Sequence, residues 1–364
     1  MSAQIDGTLV FIGTQGSGEG QGIYAARLNE EDGTLSAAAL AAEAERPTWV
    51  TADPRRPVVY AVSEVGNKGD RIGDVASFAI DAASAALQLC RSVPSGGGGP
   101  THLALAPDGG ALFVANFGGG QASVLPVDAD GRLLPPSSVR TGTGSGPHRR
   151  QQGPHAHGVT LDPSGGYLLV PDMGADRVFI YPYDAAARAL GTRPELHVAV
   201  PAGAGPRLVL FGKDGRFAYL LTELSAEIFV FSWDAQTGQL SPVSSLALDP
   251  PEFEDARSAA GFAMSADGRF LYASNRATAV IQAYAIGSDG SLALVQTIDA
   301  GGEKPWAIEI APGGRWALVA NQGSDVVRLF ARDPASGQLS QTSASLAVPT
   351  PTSFTFVPTV LPDC

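Results

Sequence analysis

The densest chemistry in the chain lies between Gly146 and Gly158, in GPHRRQQGPHAHG. This segment holds His148, His155 and His157, three of the five histidines, beside Arg149 and Arg150. Imidazoles titrate near neutral pH and serve as acids, bases or metal ligands. Guanidinium groups grip carboxylates and phosphates through paired hydrogen bonds. An H-x-H pair on an extended strand would put both rings on one face. No carboxylate or thiol stands at a recognised ligand spacing, so a metal pair has little support. A cationic lip over an anionic small molecule accounts better for the arginines. There is no P-loop, no nucleophile elbow and no HExxH, which removes the sequence support for phosphate-loop, serine-hydrolase and zincin chemistry.

Such residues need elements to position them, and a repeat supplies these. An apolar segment, a tight polar turn, a second apolar strand and a polar residue recur six times. The pattern begins at Pro47, Pro100, His157, Pro206, Ala259 and Pro305, with turns on Arg56, Gly109, Gly165, Gly215, Gly268 and Gly314. Successive turns are 46 to 56 residues apart. A third strand lies between them (VASFAI, RVFIYPY, EIFVFSW, VIQAYAI, VVRLFA), and a weaker fourth follows turns such as TGQL. Each unit is therefore a four-stranded antiparallel meander. Residues 8–46 supply strands two to four of another unit, and PTSFTFVP from Pro351 supplies its missing first strand. The expected fold is all-β: a seven-bladed β-propeller of four-stranded antiparallel blades, residues 1–364 in one domain, closed by pairing the N- and C-terminal strands.

The register of this repeat selects a site. Eight residues before each turn position stands the start of the strand lining the central channel: Thr48, Thr101, His157, Arg207, Ala260 and Trp306. Eight residues after it stands the end of the next strand: Glu64, Phe117, Met173, Glu223, Arg276 and Gln322. Antiparallel pairing puts both sets at one face of the disc. His157, Arg207, Glu223 and Arg276 stand out there, from three consecutive blades, and Arg207 and Glu223 share a hairpin. The alternative is a salt-bridge ring that merely ties blades together. One position earlier, Ser63, Asn116, Asp172, Thr222, Asn275 and Asn321 could hold a hard cation, but such side chains at strand ends more often bond loose backbone groups.

Composition sets the limits. Among 364 residues are 44 Gly and 27 Pro, and only 16% are charged, which excludes a disordered chain and a coiled coil. The net charge of −12 argues against a nucleic-acid partner. There is no polybasic anchor and no apolar run long enough to span a membrane. No Lys or Arg precedes Arg27, as a secretory signal would require, and Cys90 and Cys364 form no CxxC pair. The expectation is a cytoplasmic protein with reduced thiols, a monomer or weak homo-oligomer.

PHAH at 154–157 with Arg150-Gln151 before it, GPR at 205–207, TEL at 222–224, DGRFLYASNR at 267–276 and VANQGSD at 319–325 resemble the lactonase family of seven-bladed propellers. That family includes propeller-type 6-phosphogluconolactonases and carboxy-cis,cis-muconate lactonizing enzymes, and the resemblance covers nearly the whole chain. It implies a lactonase with no metal or other cofactor, with His157, Arg207, Arg276 and Glu223 catalytic. His155, Arg150, Trp306, His102 and Gln322 complete the expected substrate-binding set. Leu208 replaces the usual His of GPRH, Thr222 the usual Asn before Glu, and Trp306 a usual Arg. A flat aromatic surface there suits a less charged or ring-bearing lactone.

The expected reaction is acid/base hydrolysis of a small anionic lactone, either 6-phosphogluconolactone-like or a carboxylated lactone of aromatic breakdown. His157 would be the acid/base, with Glu223 orienting it or activating water, and Arg207 and Arg276 would hold the substrate anion and the oxyanion. Three other readings remain: a cycloisomerase forming a muconolactone from a carboxymuconate, a non-catalytic interaction platform, and a metal-dependent lactonase whose activity a chelator would abolish.

Overall fold

The computed structural model describes residues 7–16, 18, 21–191 and 196–357. Its strands form seven antiparallel sheets, each a meander running outward from a central channel. Blade 1 comprises Val50–Ala52, Val58–Ser63, Asp74–Ile80 and Leu87–Pro94; blade 2, Pro100–Leu105, Ala111–Asn116, Gln121–Pro126 and Ser138–Thr141. Blade 3 runs from Thr160–Leu161 through Tyr167–Asp172 and Arg177–Asp184 to Leu196–Ala199, with Ala189–Leu190 beside it. Blade 4 is Pro206–Phe211, Phe217–Thr222, Glu227–Asp234 and Gln239–Ala247. Blade 5 is Ala259–Met264, Phe270–Asn275, Val280–Ile286 and Leu292–Asp299. Blade 6 is Pro305–Ile310, Trp316–Asn321, Val326–Arg332 and Leu339–Ala347.

Blade 7 is built from both ends of the chain. Its innermost strand, Pro351–Phe356, pairs antiparallel with Thr8–Thr14, and Gly22–Asn29 and Ala39–Glu43 follow outward. Closure is sealed on the far side by blade 1. Ser353 Oγ accepts from Val50 N at 3.2 Å, Thr355 Oγ1 accepts from Ala52 N at 2.8 Å, and Thr352 Oγ1 donates to Thr48 O at 2.9 Å. Each blade keeps a short inner edge, and ring closure shelters it in the central channel, away from the hazard of an open sheet.

Strand alternation packs the blades. The second and third strands carry the largest fully buried side chains, including Phe11, Tyr60, Phe113, Phe179, Tyr219, Tyr272 and Phe330. Each seam between blades is an apolar cluster; at the closing seam, Phe11, Ile23, Val50, Val59 and Phe78 interlock. The hairpin turns need glycine for a geometric reason. Gly109, Gly165, Gly215, Gly268 and Gly314 all sit at φ between +67° and +74°, the left-handed region that Cβ disfavours.

Two departures from the expected repeat matter for the site. In blade 3 the inner strand does not start at His157: the ladder is reduced to Thr160–Leu161, and before it Ala156 makes an isolated bridge to Asp172. The reason is Pro171 on the neighbouring strand. Its carbonyl accepts from His157 N at 2.9 Å, but its nitrogen has no hydrogen to complete the pair. Elsewhere the channel-mouth residue is thrown off the ladder by a bulge. The register shifts between Pro206 and Leu208, between Pro305 and Ala307 and between Ala259 and Phe262, and the partner strand shifts opposite Pro100–His102. Arg207 and Trp306 are thus extra residues of bulges, aimed into the channel. Cys90 is exposed and free, and Cys364 lies outside the described residues. Among the described residues no helix is long and apolar enough to cross a membrane.

Truncating Phe11 to alanine would open a void in the closing seam. The expected cost is about 3–5 kcal/mol of unfolding free energy, read from urea denaturation.

Candidate active site

Four cationic or titratable side chains meet on one carboxylate. Glu223 follows the second strand of blade 4, is 1% exposed, and has both oxygens occupied. Its Oε1 lies 2.6 Å from Arg150 Nη1 and 3.0 Å from Arg276 Nη2. Its Oε2 lies 2.5 Å from Arg207 Nη1 and 3.5 Å from His157 Nε2. Burial alone would raise the Glu223 pKa. The attraction of Arg276, Arg207, His157 and Arg150 outweighs it and holds the carboxyl well below its ordinary range. Arg207 is brought down to about 10, mainly by burial, and stays charged at neutral pH.

These groups wall a pocket of about 170 Å³ at one mouth of the channel, with Trp306, Phe117, Thr101, Gln15, Glu64 and Asn67. Trp306 underlies the arginines, its ring centre 4.4 Å from the Arg276 guanidinium carbon and 5.7 Å from that of Arg207. The aromatic surface expected to face substrate is therefore partly covered by the cations of this chain. Arg207 Nε also donates to Ala260 O at 3.0 Å. Arg150 is tethered least, with 42% of its side chain exposed.

The contacts fix the His157 tautomer. Arg207 is always a donor and hydrogen-bonds His157 Nε2, so Nε2 accepts and the proton sits on Nδ1. Nδ1 is buried without a partner among the described residues. Burial, then the neighbouring Arg207, pulls the His157 pKa well below its ordinary value, so the ring is neutral at pH 7. The neutral ring is held at the pocket wall through Nε2, with its Nδ1–H turned into the buried interior.

Of the other expected residues, three sit behind the pocket wall. His155 donates from Nδ1 to Phe117 O at 2.7 Å and stacks on the Phe117 ring at 4.5 Å, so it fixes that wall residue from outside. Gln322 donates to Gln15 Oε1 at 2.6 Å and reaches the pocket only through it. His102 lies deeper, against Trp49 at 4.1 Å, and lines a smaller cavity of about 40 Å³ farther down the channel, with Glu309. The polar groups one position before the strand ends bond locally. Asp172 Oδ1 accepts from the backbone of His155, Gly174 and Ala175, Asn116 bonds Ser95 and Ser123, and Asn321 donates to Ala300 O. These three side chains act as strand-end caps.

A buried network carries the histidine segment. Gln151, fully buried, donates to Met173 O at 2.8 Å and to Asp176 Oδ1 at 2.7 Å. Asp176 in turn accepts from Gly203 N and Gly205 N, just before Arg207. This ties the loop that presents Arg150 to the one that presents Arg207.

The family model for "Lactonase, 7-bladed beta-propeller" matches residues 9–356. The chain belongs to that lactonase family. A 6-phosphogluconolactonase of Bacillus subtilis is 30% identical over 349 residues, 95% of this chain and 97% of the relative. Among solved structures, the periplasmic gluconolactonase of Pseudomonas aeruginosa is 38% identical with a TM-score of 0.89, over 98% of this chain and 99% of its own. A putative 6-phosphogluconolactonase of Bacteroides fragilis is 31% identical with a TM-score of 0.87, over 98% and 100%. In this lactonase, Glu64, Asn67, Gln15, Thr101 and Phe117 are the pocket residues that sequence reasoning did not select. Glu64 had a readable signal, since it occupies the same repeat position as Glu223.

Removing the carboxylate charge with Glu223→Gln would leave buried guanidinium groups without their counter-ion. A loss of about 3–5 kcal/mol is expected by urea denaturation. A second outcome concerns acid. His102 is held down to about 3, first by burial and then by Arg207. An unfolded histidine protonates near 6.5, so between about 6.5 and 3 the unfolded chain binds the extra proton. The stabilisation is present above that window and is lost as pH falls through it. His157 acts in the same sense. His102→Gln should therefore flatten the acid fall of the urea midpoint, by about 1.4 kcal/mol per pH unit within the window.

Proposed function

We propose that this lactonase hydrolyses a small anionic sugar lactone, 6-phosphogluconolactone or a close relative, without a metal ion. The carrying observation is the charge balance of the pocket. Three guanidinium groups surround one carboxylate beside a neutral histidine, leaving a surplus of positive charge in a chain of net charge −12. An anionic substrate group would take the half-exposed Arg150 away from Glu223 and keep it as its own partner.

Hydrolysis adds water to the lactone carbonyl, places negative charge on the carbonyl oxygen and then breaks the ring C–O bond. Arg276, on the pocket wall, is the donor for that oxyanion. Glu223 keeps Arg276 and Arg207 in place, and Arg207 holds the neutral His157 ring through Nε2. Each acts through geometry fixed before substrate arrives. Metal independence is supported by the occupied faces of Glu223, which leave a cation no lone pair there. The named relatives carry hydrolase names, which supports hydrolysis over the lactonizing direction.

The test is a lactone panel containing glucono-1,5-lactone, its 6-phosphate and a muconolactone, assayed above the spontaneous rate. Turnover of the sugar lactones, unchanged by EDTA, is expected; no turnover of any member would overturn the reading. Arg276→Ala should lower kcat/KM by about 10²–10³. Arg150→Ala should raise KM for the phosphorylated lactone more than for the neutral one.

A further inference from the structure

We propose that Glu64 is the general base of the reaction, taking the proton from the attacking water and returning it to the leaving ring oxygen. This rests on the hydrolytic reading above and adds a catalytic residue to it. The oxyanion donor accounts for the charge on the carbonyl oxygen, but water also needs a proton acceptor. The pocket holds three titratable groups other than arginine: Glu223, His157 and Glu64. Glu223 has four nitrogens within 3.5 Å of its oxygens and is a poor base. The lone pair of His157 is taken by Arg207.

Glu64 stands differently. Its Oε1 accepts from Asn67 Nδ2 at 2.7 Å, and its Oε2 has no hydrogen-bond partner among the described residues. Arg46 Nη2 is 3.8 Å from Oε1, while Arg46 Nε donates to the Glu64 backbone carbonyl at 2.8 Å. One peripheral cation thus faces Glu64, where three crowd Glu223. Asn67, which holds the carboxylate, is seated against Gly99. A Cβ on Gly99 would fall 2.2 Å from Asn67 Oδ1, and its φ is +59°, so only glycine fits.

Position supports the role. Glu64 ends the second strand of blade 1 and Glu223 that of blade 4, three blades away one way round the ring and four the other. They occupy opposite walls. A lactone with its carbonyl oxygen on Arg276 would present its reacting carbon across the pocket to Glu64, with a water between. That water adds its oxygen to the carbon as its proton passes to the Glu64 carboxylate. Collapse breaks the ring C–O bond, and the departing alkoxide takes the proton back. The products are the hydroxy acid and the original carboxylate.

Glu64→Gln and Glu64→Ala would be assayed on glucono-1,5-lactone and on δ-valerolactone, which has the same ring without hydroxyls. Glu64→Gln should lower kcat by about 10²–10⁴ on both, with KM little changed. Formate should restore part of the Glu64→Ala rate by supplying a carboxylate, a rescue that a structural role would not show. An unchanged kcat would overturn the proposal. So would a rise in KM confined to the hydroxylated lactone, which would make Glu64 a hydroxyl acceptor. Wild-type protein inactive on every lactone would sink the hydrolytic reading itself, whereas active wild type with equally active Glu64→Gln would sink only the base.

Discussion

One buried carboxylate sets the rest of the site. Glu223 draws Arg207 from its own hairpin, Arg276 from the next blade and Arg150 from the loop before blade 3. Without it, three guanidinium groups would not share so small a volume in a low-dielectric setting. With it, their geometry is fixed before any substrate arrives. The tautomer of His157 follows from the same contact, because the nitrogen that faces Arg207 must accept. A single counter-ion thus decides which nitrogen of the histidine carries the proton.

The propeller makes this concentration possible by ending every inner strand at the same mouth. Bulges add to that effect. Where a ladder residue would alternate between neighbouring blades, the extra residue of a bulge is released into the channel, which is how Arg207 and Trp306 reach the pocket. In blade 3 a proline on the second strand does the equivalent, loosening the chain around His157. Regular sheet supplies the walls, and its local failures supply the chemistry.

The same repeat position carries two glutamates with opposite surroundings. Glu223 is saturated by cations and serves as an anchor. Glu64, across the ring, lines the pocket and is held at Oε1 by one amide. Electrostatic asymmetry between equivalent positions is how a symmetric frame acquires a direction, with three guanidinium groups crowded on one carboxylate and a single peripheral cation beside the other. The channel below continues the contrast. Burial brings His102 down to about 3, so its ring is uncharged there.

The sequence by itself determined the fold and picked out four side chains that the structure brings together. Turn glycines at a steady spacing, the orphan strand at Pro351 and period-2 strands leave little choice but seven closed blades, because blade size and hairpin geometry are local properties. The register also selected His157, Arg207, Glu223 and Arg276, since strand ends at one face must share a mouth. Tertiary structure decided the rest. It turned His155 onto Phe117, put Gln322 behind Gln15, sank His102 below the pocket and laid Trp306 under the arginines. It also placed Glu64 on the pocket wall with no hydrogen-bond partner for Oε2 among the described residues. These outcomes depend on bulges, on a proline without a hydrogen and on which cation reaches a carboxylate first. Such contacts join residues far apart in sequence, and no spacing along the chain records them.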